Sequence, residues 1–180
     1  MRIEREKSIG LIIDIQDRLF PVMDGKENLL SNCTRLIEGL QILGIPLVVT
    51  QQYTKGLGST VNEISSLFSH FSPIEKNTFS CMDEPVFALH LGNSGKTNVI
   101  IGGIESHVCV LQTAVDLKEN GYDPIVIADC ISSRNPEEKQ IALNRFLLEG
   151  IRVSTTESIL FELTRSAGTT EFKAISKLVK

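Results

Sequence analysis

The feature that most constrains this chain is a repeated pairing, in which a short apolar run rich in β-branched residues is followed by a longer amphipathic stretch that stops at glycine. Four such runs occupy residues 8–14, 45–50, 97–102 and 124–129, with a weaker fifth at 151–155. They are continuously apolar rather than alternating, the pattern of strands buried on both faces of a parallel sheet. Residues 28–43 place Leu29, Leu36, Ile37, Leu40 and Leu43 at helical spacing and end at Gly44 with Pro46 beyond. The same signature recurs at 107–120, through Val108, Leu111, Val115 and Leu117 before Gly121, and at 136–149, through Ile141, Leu143, Phe146 and Leu147 before Gly150. Strand, helix, strand repeated along one chain predicts a three-layer α/β/α fold, a doubly wound and mostly parallel sheet with right-handed crossovers.

Residues 51–79 break this rhythm. Gly56, Gly58 and a run of Ser and Thr predict a long loop around a short helix at 61–67, and a loop of that length in a compact domain is often functional. A short strand before Lys76, masked by breakers on either side, brings the expected sheet to about six strands. The tail, 171–180, reads as a last amphipathic helix packing on the sheet or on a neighbouring subunit. There is no internal repeat or composition shift, and 180 residues suit one domain over 1–180 with a full core.

Charge and cysteine usage narrow the function classes. A net charge of -4 with scattered Lys and Arg gives no footprint for a polyanion, so nucleic acid is not an expected partner. The apolar run at 9–13 is far shorter than a signal-peptide core or the ~20 residues of a membrane span, so a cytoplasmic protein without membrane attachment is expected. Cys33, Cys81, Cys109 and Cys130 form no C-x-x-C pair and lie near no histidines at zinc-finger spacing, which predicts free thiols. The turn after the first run, 14–20, has no glycine and so no phosphate cradle for a nucleotide.

In an open α/β sheet ligands bind beyond the carboxyl ends of the strands. Three residues stand there. Asp14 closes the apolar run Leu11-Ile12-Ile13, an unusual place for a random surface charge. Lys76 follows Ile74-Glu75, and Cys109 falls in the first turn of the helix after the run ending at Gly103. A thiol attacks as thiolate, and a helix N-terminus, a lysine and a carboxylate base together favour forming it. Singly, each has an ordinary explanation: a turn residue, a solvated charge, a small buried hydrophobe.

Together they form a pattern. From Leu11 to Leu178 the chain resembles the isochorismatase-like cysteine hydrolase superfamily: Asp14-Ile15-Gln16 looks like its D-x-Q, Glu75-Lys76 its lysine segment, and Gly103-Ile104-Glu105-Ser106-His107-Val108-Cys109-Val110 its cysteine segment. Residues 50–58, 129–134 and 156–163 look most like the isochorismatase-domain-containing branch. The resemblance implies a catalytic set of Cys109 as nucleophile, Asp14 as proton acceptor and donor, and Lys76 as the cation that holds them in register. It also implies a cis peptide at Ile104-Glu105, turning the amides of Glu105 and Cys109 toward one point as an oxyanion hole. A cis bond without proline costs about 3 kcal/mol, and Gly102-Gly103 before it would give the backbone freedom to turn.

Relatives such as the nicotinamidases bind a metal through an aspartate and two histidines after the second strand. Here Gln51-Gln52-Tyr53-Thr54 has no histidine, so no metal and no other cofactor is expected. By position, Gln16, Phe20, Gln52, Tyr53, Leu57 and Phe79 are candidate walls of a substrate pocket, and Cys81 lies close enough to line it. His107 either faces that pocket or caps its helix, whereas His70 and His90 read as helical surface. The expected activity is metal-free cleavage of an amide-like C–N bond in a small molecule through a covalent Cys109 intermediate. A binding or assembly protein with vestigial chemistry is the alternative, and homo-oligomerisation through 159–163 and the tail fits either.

Overall fold

Each apolar run forms a strand in the computed structural model, which describes residues 2–180. The elements in chain order are β1 (Ser8–Ile13), α1 (Lys26–Ile42), β2 (Leu47–Gln52), α2 (Thr54–Leu57), α3 (Asn62–Ser65), β3 (Ile74–Lys76), α4 (Pro85–Ser94), β4 (Asn98–Ile104), α5 (Leu111–Glu119), β5 (Asp123–Ser132), α6 (Pro136–Leu148), β6 (Arg152–Ser154), α7 (Thr156–Thr164) and α8 (Thr170–Leu178). The six strands form one sheet in the order β3-β2-β1-β4-β5-β6, and every pairing is parallel. The order reverses between β1 and β4, so the crevice beyond the carboxyl ends of those two strands is the expected binding place.

The runs lack alternation because both sheet faces are covered. All six residues of β1 are buried. Ile9, Leu11 and Ile13 point into one core with Phe87 of α4, Leu117 of α5 and Phe146 of α6. Ile12 points into the other, with Leu36, Ile37 and Leu40 of α1, Ile159 and Leu160 of α7 and Ile175 of α8. Each such side chain taken out of water contributes roughly 1.5–3 kcal/mol. No helix among the described residues is long and apolar enough to cross a membrane.

Several expectations need correction. The short helix expected at 61–67 is confined to α3 and preceded by another, α2, and β3 follows in the same loop. Cys109 does not lie in the first turn of an α-helix: Ser106–Val110 forms a π turn, and α5 begins only at Leu111. Helix α7 is additional to the predicted set, and α4 gives bounds to the helical surface expected around His90. α4 starts at Pro85 with Glu84 capping the Val86 amide, and α7 starts after Thr155, which caps Ser158. Ile159, Leu160 and Leu163 of α7 are buried in the subunit's own core, so they are not a free interface. The tail helix packs on that core through Ile175. His90 lies on exposed α4 surface as expected, whereas His70 lies in irregular chain.

Candidate functional site

The three residues at the strand ends converge. Asp14 follows β1 at φ 54°, in the left-handed region. Lys76 is the last residue of β3, two strands away, and its Nζ donates to Asp14 Oδ2 at 2.6 Å. Neither side chain has any solvent exposure. The ammonium also donates to the carbonyls of Thr78 at 3.0 Å and Phe79 at 3.1 Å and approaches Gln52 Oε1 at 3.4 Å. Thr50 Oγ1 donates to Asp14 Oδ1 at 2.8 Å. Such saturation by hydrogen bonds is what allows an ion pair to sit in an interior. Burial opposes the Lys76 charge, but Asp14, assisted by Cys81 and Cys109, outweighs it and holds the lysine above its ordinary pKa.

Cys109 meets this pair from the π turn after β4. It is 5% exposed, and its Sγ donates to Gln52 Oε1 at 3.1 Å. Burial and then the Asp14 charge push its thiol well above the ordinary range, and Lys76 only partly offsets them. The sulfur at rest is therefore a thiol, not the thiolate that a helix N-terminus would favour. The Asp14 charge is felt at the same sulfur, so a carboxylate able to accept its proton stands nearby. Cys81 lies fully buried beside the pair, its Sγ 3.9 Å from Thr50 Oγ1, and burial followed by the Asp14 charge pushes it up to about 11.

The turn into Cys109 is built differently from the expectation. No described peptide bond is cis, so Ile104-Glu105 is trans. The reversal comes instead from Gly103 at φ 149° and Glu105 at φ 46°. A side chain at 103 would place its Cβ 2.5 Å from the Ile13 carbonyl oxygen, so β4 can approach β1 this closely only with glycine there. Glu105 is buried, held by Arg134 Nε at 2.6 Å from Oε1, with His107 Nδ1 3.5 Å from Oε2. Two buried atoms without a hydrogen-bond partner, Glu105 Oε2 and Ser106 Oγ, sit at this turn.

The expected pocket walls divide into groups. Gln52 touches both Cys109 and Lys76. Gln16 is fully buried, and both ends of its amide are spent on backbone, so it is not a wall. Phe20 packs against the α1 core instead of lining the site. Tyr53 and Phe79 are more than half exposed, and the Tyr53 ring lies over Gly56, where a Cβ would come within 2.2 Å of it. Leu57 closes α2 and is partly exposed. His107 is tied to Ser133 Oγ through Nδ1 at 3.0 Å. Thr50 and Arg134 join the site without having been singled out for it. Their positions at a strand end and after β5 were the available signal. A separate groove of about 560 Å³, lined by Leu47, Phe68, Phe71, Ile74, Val86 and His90 among others, includes none of Asp14, Lys76 or Cys109. Among the described residues no three His, Cys, Asp or Glu side chains are grouped so as to hold a metal ion.

Comparison with known proteins agrees with this architecture. The isochorismatase domain model matches residues 8–158. Isochorismatase domain-containing protein 2 from Danio rerio is 36% identical over 178 residues, 99% of this chain and 89% of that protein. The structure of MAR1 ribonuclease from Caenorhabditis elegans superimposes with a TM-score of 0.92 at 34% identity, covering 99% of this chain and 92% of the other. The YcaC gene product from Escherichia coli, described as an octameric hydrolase of unknown specificity, has a TM-score of 0.92 at 21% identity over 99% of this chain and 90% of its own, a likeness of fold.

Proposed function

This chain belongs to the isochorismatase domain family, and from that premise we propose that it is a hydrolase that cleaves an amide-like C–N bond of a small molecule through a covalent intermediate on Cys109. The observation that carries this reading is the buried charge pair of Asp14 and Lys76 placed against the only one of the four thiols with measurable exposure.

The steps follow from the charges. Asp14, paired with Lys76, accepts the Cys109 proton as sulfur bonds to the substrate carbonyl carbon. The developing oxyanion is met by donors of the turn between Glu105 and Cys109. As the C–N bond breaks, Asp14 returns the proton to the departing nitrogen, leaving a thioester. One water then attacks the thioester, giving its proton to Asp14, and Asp14 passes that proton to the sulfur as the acid is released. The charge of Lys76 stays constant and keeps both states of the carboxyl in place. The octameric description of the YcaC relative supports a homo-oligomeric assembly here as well.

The test is a screen of small amides, carbamoyl compounds and nicotinamide for ammonia release, on wild type and Cys109→Ala together. Release by wild type and none by Cys109→Ala is expected. Turnover retained in Cys109→Ala overturns the mechanism. Absence of any turnover or covalent labelling by electrophilic amide mimics would favour a binding protein on this fold.

A further inference from the structure

β1 stops pairing with β2 at Ile13 and Thr50, two residues before β2 itself ends. A side chain takes over where the ladder ends: Gln16 Oε1 accepts from the Gln52 amide at 2.7 Å, and Gln16 Nε2 donates to the Gln52 carbonyl at 3.0 Å and to the Gly58 carbonyl at 2.7 Å. The backbone of Gln52 is thus gripped on both of its polar groups by one fully buried amide. Its own side chain then meets two donors, the Cys109 thiol at 3.1 Å and the Lys76 ammonium at 3.4 Å. Because both neighbours donate, the oxygen of the Gln52 amide must face them.

We propose that Gln52 is a positioning residue for the nucleophile, its side-chain oxygen holding the Cys109 hydrogen away from Asp14 in the resting protein, and that Gln16 is the clamp that keeps it there. The inference rests on Cys109 being the nucleophile. An acceptor beside sulfur favours S–H and disfavours S⁻, so Gln52 keeps the thiol protonated until a substrate displaces that contact and leaves Asp14 as the remaining acceptor. The nucleophile is in this way guarded against stray electrophiles. The other groups facing the sulfur are Asp14 after β1, Lys76 on β3 and Cys81 in the segment that follows. On its own turn, Glu105 and His107 are engaged by Arg134 and Ser133.

The S–H stretching band of Cys109, isolated by infrared difference against Cys109→Ala, reads this contact directly. Gln52→Met has similar length and no strong acceptor, so the hydrogen should turn to the Asp14 carboxylate, a stronger acceptor, and the band should move to lower frequency; with the thiol resting on its base, iodoacetamide should label Cys109 faster than in wild type at pH 9. In that labelling the thiolate displaces iodide and the thiol proton goes to solvent. Gln52→Glu keeps an oxygen acceptor and should keep the band near its wild-type position and the labelling no faster than wild type. Gln16→Met should act in the same direction as Gln52→Met with a smaller effect. An unmoved band in Gln52→Met overturns the proposal, as does Gln52→Glu behaving like Gln52→Met, since loosened packing alone would produce that. The readouts need no turnover, so they stand apart from the hydrolase reading, which falls on retained turnover in Cys109→Ala.

Discussion

The Lys76 ammonium lies 2.6 Å from the Asp14 carboxylate, with both side chains sealed from solvent. One ion pair therefore joins two strands of the sheet and supplies the charge of the candidate site. Removing one partner strands the other charge in the interior, so Lys76→Met should cost about 3–5 kcal/mol of stability. The double variant Asp14→Asn, Lys76→Met should lose much less than the sum of the singles. Urea unfolding of the three variants checks this, and additive losses would mean the pair is not coupled. The pH dependence has a definite sign. A lysine raised in the folded state contributes stability that is fully present below its unfolded pKa of about 10.4 and is lost only as pH rises through the higher folded value. Stability from this pair should thus be unchanged across neutral pH and fall only in strong alkali.

Thr50 Oγ1 donates to the Asp14 oxygen that Lys76 does not hold. Thr50→Val keeps the shape and leaves that buried oxygen unpaired, a loss of about 1–3 kcal/mol. Thr50→Ser restores the donor and should recover most of the stability and of any turnover. Equal loss in Val and Ser variants would assign the effect to packing.

Gly103 and Gly102 are neighbours in β4 with different demands. Gly103 combines φ 149° with a hypothetical Cβ 2.5 Å from the Ile13 carbonyl oxygen, whereas Gly102 would meet Cys130 Cβ at 3.1 Å without positive φ. Gly103→Ala should cost about 3 kcal/mol or more and displace the Cys109 turn, with a smaller loss for Gly102→Ala. Thermal melts and Cys109 labelling read both effects, and equal losses at the two positions would sink the argument.

The sheet and most of its helices were legible because apolar runs and helical stripes are local signals. Asp14 was legible because a charge after an apolar strand has few ordinary reasons to be there, and Lys76 only through the lysine segment it shares with the family it resembles. α4 showed only as helical surface around His90, without bounds, because Val86 and Leu89 are 60% and 65% exposed while Phe87 and Leu91 are buried, which leaves no clean apolar stripe. The trans bond at Glu105, the π turn and the Gln16 clamp were not legible. Each depends on how closely β4 and β2 approach β1, a distance between strands that no local pattern encodes. The resting thiol was missed for a related reason: the helix N-terminus expected to ionise it starts two residues later, and burial dominates.

Asp14 raises the Cys109 pKa through its charge while serving as the base, so its removal should separate two properties that usually move together. Burial and Asp14 hold the thiol protonated, and Lys76 pulls toward thiolate. In Asp14→Asn the opposing charge is gone and Lys76 remains, so iodoacetamide should label Cys109 faster than in wild type at pH 8. Hydrolysis should nevertheless be lost, because no group remains to carry the proton from sulfur to the leaving nitrogen. In wild type, Cys109 should label before the fully buried Cys33, Cys81 and Cys130, yet more slowly than an unhindered cysteine in a peptide. Peptide mapping after timed labelling, beside an ammonia-release assay, measures both properties on the same samples. Slower labelling in Asp14→Asn would show that the carboxylate does not oppose ionisation of this thiol, and turnover without the carboxylate would remove Asp14 from the proton path.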